Sequence, residues 1–204
     1  MKKLFKSMVV AMVITSLFAF LPFEKNCRDI SDEVFRIHIL ADSDSPEDQS
    51  LKLMVRDAVL GFTDNLYSTA TSKEEAIEIT RENLSGIVST AEAVLESKGC
   101  HKKVDAQICN MDFNTRHYGN ITMPSGNYTA LRLIIGSGEG KNWWCVMYPS
   151  LCLYTASDAK SLEDELTSEQ YEVITDTPKY EFKFRILEYF DYFCNLFGDM
   201  IPIK

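Results

Sequence analysis

The stretch Tyr128–Cys152, YTALRLIIGSGEGKNWWCVMYPSLC, constrains the fold of this chain more than any other. Two apolar runs, Leu131–Ile135 and Trp143–Tyr148, flank a loop, Gly136–Asn142, that holds three glycines. Short apolar runs separated by glycines read as two strands joined by a turn. The expectation is a hairpin at the centre of a sheet, carrying both tryptophans and two cysteines. Gly140-Lys141 invites comparison with a phosphate loop, G-x-x-x-x-G-K-[ST] between a strand and a helix. The comparison fails. Ile135 stands at the first glycine, Asn142 at the metal-binding hydroxyl, and a β-like Trp-Trp run follows where a helix is needed.

The start of the chain points to export. Lys2, Lys3 and Lys6 precede an apolar run from Met8 to Phe23, broken only by Thr15, Ser16 and Pro22. That layout fits a secretory signal, with an apolar segment shorter than an ordinary membrane span. No clear small-x-small cleavage site follows, so residues 1–26 read as a signal peptide or an uncleaved membrane anchor. Glu24, Lys25 and Asn26 before Cys27 are wrong for a lipoprotein site. Residues 27–204 then form a single exported domain, long enough for a proper core. A formal net charge of -9 and a pI near 4.9 argue against a nucleic-acid partner, because phosphate backbones call for a basic face.

Export changes how the six cysteines read. Cys27, Cys100, Cys109, Cys145, Cys152 and Cys194 are free to pair in a non-reducing compartment, with 15 connectivities open. Cys145 and Cys152 form the expected disulfide, since Pro149 between them favours a turn that brings them together. Zinc binding needs further Cys or His at ligand spacing, and there is no CxxC.

From Val34 to Ala41, apolar Phe35, Ile37 and Ile39 alternate with Arg36 and His38, the pattern of a half-exposed strand. Ser45, Pro46 and Asp48 cap a helix to about Tyr67, striped by Leu51, Val55, Ala58, Val59, Phe62 and Leu66. Ser72 with Glu75 opens a second helix that Gly99 stops. Lys103–Phe113 reads as a strand, Asn114–Asn127 as a polar loop, and Ser157–Thr177 as a short helix with loops. Tyr180–Phe197 alternates at first like a strand and turns helical from Ile186. The fold class is α+β, a mainly antiparallel sheet with two long helices packed on one face.

No catalytic set emerges, and neither a cofactor nor a metal is expected. His38, His101 and His117 lack HExxH or zinc-finger spacing. His38 with Asp42 and Ser43 is no nucleophile set, because Ser43 lies in a capping run rather than a G-x-S-x-G elbow. No carboxylate pair stands out for acid–base work, and the sequon Asn120-Ile-Thr122 is a pattern that arises readily by chance. One constellation remains. With Phe35, Ile37, Ile39, Leu131, Leu133 and Ile135 under the helices, Arg36, His38, Arg132 and Trp144 share the opposite face, next to Trp143. Arginine and tryptophan dominate protein–protein hot spots, so these five are the candidate partner-binding residues. A rival reading is an exported enzyme or envelope-binding domain with its site near Arg36, His38 and Trp144.

Three segments carry a resemblance: FRIHILADSDSPEDQSLKLMVRDAVL from Phe35, YGNITMPSGNYTALRLIIGSGEGKNWWCVMYPSLC from Tyr118, and YEFKFRILE from Tyr180. Together they resemble the stage II sporulation protein R family of endospore-forming bacteria. Asp42, Asn114 and Ser150 depart from that family's usual residues. The resemblance implies a protein made in the forespore and exported into the space between the two membranes. There it would activate a membrane-embedded aspartic protease of the mother cell, which processes the sigma E precursor. It implies signalling rather than catalysis and transfers no catalytic residue.

Overall fold

The computed structural model describes residues 2–67, 69–151 and 162–197. Its elements run α1 (Lys2–Glu33), β1 (Phe35–Leu40), α2 (Pro46–Tyr67), α3 (Lys73–Glu82), α4 (Leu84–Ser97), β2 (Val104–Phe113), β3 (Arg116–Tyr118), β4 (Ile121–Met123), β5 (Gly126–Ile135), β6 (Asn142–Tyr148), α5 (Ser168–Thr175) and α6 (Thr177–Phe197). These fall into two compact units. One holds residues 33–111 and 127–165, the other residues 1–32, 112–126 and 166–204.

In the first unit, β2, β5, β1 and β6 form a four-stranded sheet in that order. The sheet is mixed, where a mainly antiparallel one is expected from the sequence: β1 and β5 pair in parallel. β1 runs parallel to β5, with His38 beside Arg132, and antiparallel to β6, with His38 beside Trp144. Consequently β5 and β6 are not a hairpin, because β1 lies between them. The glycine loop is a crossover that passes the end of β1. β1 itself is buried at all six positions, not half-exposed, because a central strand has a neighbour on each side and Arg36 and His38 are enclosed with it. Burying Ile37 and Ile39 completely stabilises the sheet by roughly 1.5 to 3 kcal/mol each.

α2 packs on β1, and Arg56 of α2 lies 5.2 Å from the Trp143 ring centre. Strand alternation puts Trp143 with Ile37 and Ile39, so α2 covers the face that carries these residues. Ser45 caps α2 by accepting from the Asp48 N–H at 3.1 Å. The second expected helix is two helices, α3 and α4. Asn83 breaks it: its side-chain amide donates back to the Ile79 carbonyl at 2.8 Å, offering the backbone an alternative to continued helix. At the start of α3 the cap is shifted from the expected box. Ser72 caps Glu75 N–H, while the Glu75 carboxylate takes the N–H and hydroxyl of Thr71.

The other unit contains α1, which runs unbroken through residue 26 to Glu33. The expected polar loop after β2 holds a small hairpin, β3 against β4, with Arg116 opposite Met123. α5 starts at a capping box formed by Thr167 and Gln170. α6 is helical from Thr177, so the strand expected from Tyr180 is corrected. Tyr180, Phe184 and Leu187 recur at helical spacing, and Phe23 of α1 packs on Tyr180 and Phe184 at ring-centre distances of 5.7 and 5.2 Å. That contact repays helix formation where alternation alone reads as strand. Among the described residues, no helix is long and apolar enough to cross a membrane.

Candidate functional site

The register brings three of the candidate residues into one row across the sheet: Arg132 of β5, His38 of β1 and Trp144 of β6. The His38 and Trp144 rings stack with centroids 3.7 Å apart and planes 3° from parallel. Arg36, two residues along β1, points to the same face. Its Nε donates to the Cys145 carbonyl at 3.4 Å and its guanidinium lies 4.9 Å from the Tyr128 ring centre. Trp143 is separated from this group. It points to the helix side, towards Arg56.

Arg36 is fully buried and His38 is 3% exposed, whereas Arg132, Trp143 and Trp144 are half-buried. Neither imidazole nitrogen of His38 has a well-aligned hydrogen-bond partner among the described residues. Burial pushes this histidine down to about 4. The nearby Asn142 amide opposes the shift and the Arg132 charge adds to it. At neutral pH the ring is therefore uncharged, a flat surface packed against indole rather than a proton donor in a cleft. Cys145 lies in β6 opposite Ile37 and is 1% exposed. No disulfide forms among the described residues, and Cys152 lies outside them.

A second cluster sits at the end of β1. Lys102 Nζ lies 2.8 Å from Asp42 and 2.5 Å from Asp48, and Ser43 donates to Asp48 as well. Lys102 holds both carboxyls below the usual range; the Ser137 N–H helps at Asp42 and the Ser43 hydroxyl at Asp48. The same contacts push Lys102 up. The glycine loop closes over this cluster. Ser137 N–H donates to the Asp42 carboxylate at 2.6 Å, Lys141 N–H to Asp44 at 2.7 Å, and Gly140 N–H to the Ala41 carbonyl at 2.8 Å.

Two glycines make this closure possible. Gly136 has φ +59, a left-handed conformation that disfavours other residues, and a Cβ there would strike the Asp42 carboxylate. A Cβ on Gly140 would strike the Ser43 carbonyl. The loop amides are spent on Asp42, Asp44 and the end of β1, with three carboxylates around them, an arrangement that repels phosphate. Sequence reasoning missed this clasp. Its signal was the pairing of two unusual runs, Asp42-Ser43-Asp44-Ser45 and the three spaced glycines.

Elsewhere, Thr115, His117, Glu181, Phe184, Arg185 and Glu188 line a small polar cleft within the second unit. His117 Nδ1 there is 2.9 Å from the Thr122 hydroxyl. Among the described residues, no three Asp, Glu, His or Cys side chains gather as metal ligands.

The fold and the clasp together define an α+β domain in which the loop after β1 and the loop after β5 are locked into one rigid corner of a mixed sheet. The model of the stage II sporulation protein R family matches residues 31–158, which takes in the sheet, α2–α4 and the clasp. The chain belongs to the stage II sporulation protein R family. It is 36% identical over 136 residues to the stage II sporulation protein R of Bacillus subtilis (strain 168), covering 67% of this chain and 61% of that protein. The chain thus spans about three fifths of that relative's length. No solved structure matches it.

Proposed function

We propose that this chain is an exported signalling protein of endospore formation. It activates a membrane-embedded aspartic protease of the mother cell and so promotes processing of the sigma E precursor. Family membership is the observation that carries this reading. The basic-then-apolar start at Met1–Phe23 supports export from the forespore into the intermembrane space, by a cleaved signal or with an N-terminal anchor.

The chemistry of the two clusters supports recognition rather than catalysis. In the clasp, Lys102, Asp42 and Asp48 satisfy one another and fix backbone. In the sheet row, the perturbation of His38 comes from burial, and a group 3% exposed is out of a substrate's reach. Arg132 and Trp144 keep some exposure, so in this reading they touch the partner while Arg36 and His38 hold the strand that presents them; Trp143, on the helix side, is outside this surface. An activator shifts its target only by binding the active state more tightly, so a rigid surface suits the task.

The test is reconstitution of the protease and its pro-sigma substrate in vesicles, with and without the full chain. Cleavage that rises on addition of the chain and falls with Arg132→Ala at unchanged folding supports the proposal. Cleavage that ignores the chain rejects it.

A further inference from the structure

Among the described residues, the four-stranded sheet ends on β2, a ten-residue strand with a neighbour on one side only. Gly136 N–H donates to the Lys103 carbonyl at 2.9 Å, and the Thr129 hydroxyl meets Asn110 at 2.9 Å. Both pairs fit one antiparallel register of β2 on β5. In that register the odd-numbered residues of β2 bond to β5, and the even-numbered ones turn their N–H and C=O outward. Val104 confirms the parity, because its outward N–H is taken by Glu92 of α4 at 3.3 Å. Beyond it, the outward main chain of Ala106, Ile108 and Asn110 faces no strand among the described residues.

Exposed edges of this kind are templates for another strand, and proteins usually blunt them with proline, lysine or a bulge. Between Val104 and Phe113 there is neither proline nor lysine. We infer that β2 pairs antiparallel with β2 of a second copy, about a two-fold axis through Ile108, joining two sheets into one.

The strand is its own complement in this register. Ile108 meets Ile108 of the other copy on the axis, and Ala106 meets Asn110 on either side. All three are outward-bonding residues, so each pair exchanges two main-chain hydrogen bonds without disturbing Val104 and Glu92. On the other face, Asp105 falls opposite Met111 and Gln107 opposite Cys109, so no carboxylate faces its like. Ile108 is half-buried in the single chain, and pairing with its copy covers the remainder. A two-fold contact of one strand with itself is isologous and closes at two copies.

Gln107 and Cys109 of the other copy form a non-hydrogen-bonded pair in this register, with Cα atoms about 4.5 Å apart, within disulfide reach. The test therefore uses the full chain in non-ionic detergent, carrying Gln107→Cys, oxidised with copper phenanthroline and read on a non-reducing gel. A covalent dimer is expected, and it is lost in Gln107→Cys with Cys109→Ser.

Adding Ile108→Pro should also abolish it, since that N–H points away from β5 and proline is tolerated on an open edge. A thermal melt by circular dichroism confirms that this variant stays folded. No cross-link in folded Gln107→Cys overturns the inference, as does a cross-link that survives Ile108→Pro. A monomeric mass by light scattering, combined with loss of protease activation in Ile108→Pro, overturns it in favour of a strand from another protein on this edge. The cross-link does not depend on the protease, so it stands or falls separately from the proposed function.

Discussion

Acidification from pH 8 to pH 5 should weaken this fold through His38. Its imidazole titrates near 6.5 when free and near 4 in the fold, because burial penalises the charged ring. Three neighbours face it: Arg132 from β5, and Asn142 and Trp144 from β6. The unfolded chain holds the proton more tightly, so stability falls as pH drops below 6.5 and levels off below about 4. At about 1.4 kcal/mol per pH unit, the full loss is about 3 kcal/mol, of which about 2 kcal/mol has gone by pH 5. The Asp42 and Asp48 carboxylates, held below their usual range, contribute stability that is lost only at lower pH, so they do not enter this window. The assay is urea unfolding followed by tryptophan fluorescence at both pH values, for wild type and for His38→Phe. Phe keeps a ring against Trp144 and removes the titration, so its own packing cost cancels in the difference between the two pH values. An equal loss in wild type and His38→Phe would refute the account of a buried, neutral histidine.

The clasp gives sharper structural tests. Gly140→Ala forces a Cβ into the Ser43 carbonyl and should cost about 1 to 3 kcal/mol in urea unfolding. Gly61→Ala, in α2 where an added Cβ meets nothing within 4 Å, should instead gain about 0.5 to 1 kcal/mol. Lys102→Met should release Asp42 and Asp48 towards ordinary carboxylate titration, visible by NMR. It should also remove about 1 kcal/mol above pH 4 that the wild type loses as pH falls through the lowered carboxyl values. The Cys145–Cys152 disulfide expected from the sequence predicts a peptide spanning both residues that resists alkylation until reduced, whereas in the structure Cys145 is a free thiol. Alkylation of both thiols without reductant rejects it.

Local signals were legible because they are local. The Ser45 cap, the stripe of α2 and the alternation of Arg36 and His38 with Phe35, Ile37 and Ile39 all depend on residues within a few positions of each other. The row Arg132–His38–Trp144 depends in addition on the register of three strands, which no local pattern supplies. Whether a strand is central depends on what lies beside it, and β1 gains both neighbours from segments about 90 to 110 residues away. Alternation misled at Tyr180 for the opposite reason. Tyr180, Phe182 and Phe184 fit a period of two, while Tyr180, Phe184 and Leu187 fit a helix, and only the Phe23 ring against the second set decides between them.

The glycine loop shows how such an ambiguity could have been narrowed. A tight hairpin turn needs one or two residues with positive φ, and Gly136 and Gly138 would satisfy that demand. Gly140 has no such backbone requirement. It is small because the Ser43 carbonyl lies against it, and a glycine fitted to another segment marks a loop that crosses that segment. The crossover also decides which substitutions can report on a partner. Changes at Gly136, Gly140, Asp42, Arg36 or His38 alter the corner or the central strand before they alter any surface. Arg132 and Trp144, half-buried at the ends of the same row, can lose contact with a partner while the sheet stays folded. A loss of protease activation that appears only at the buried set, with Arg132 and Trp144 variants fully active, would move the contact surface away from this face of the sheet.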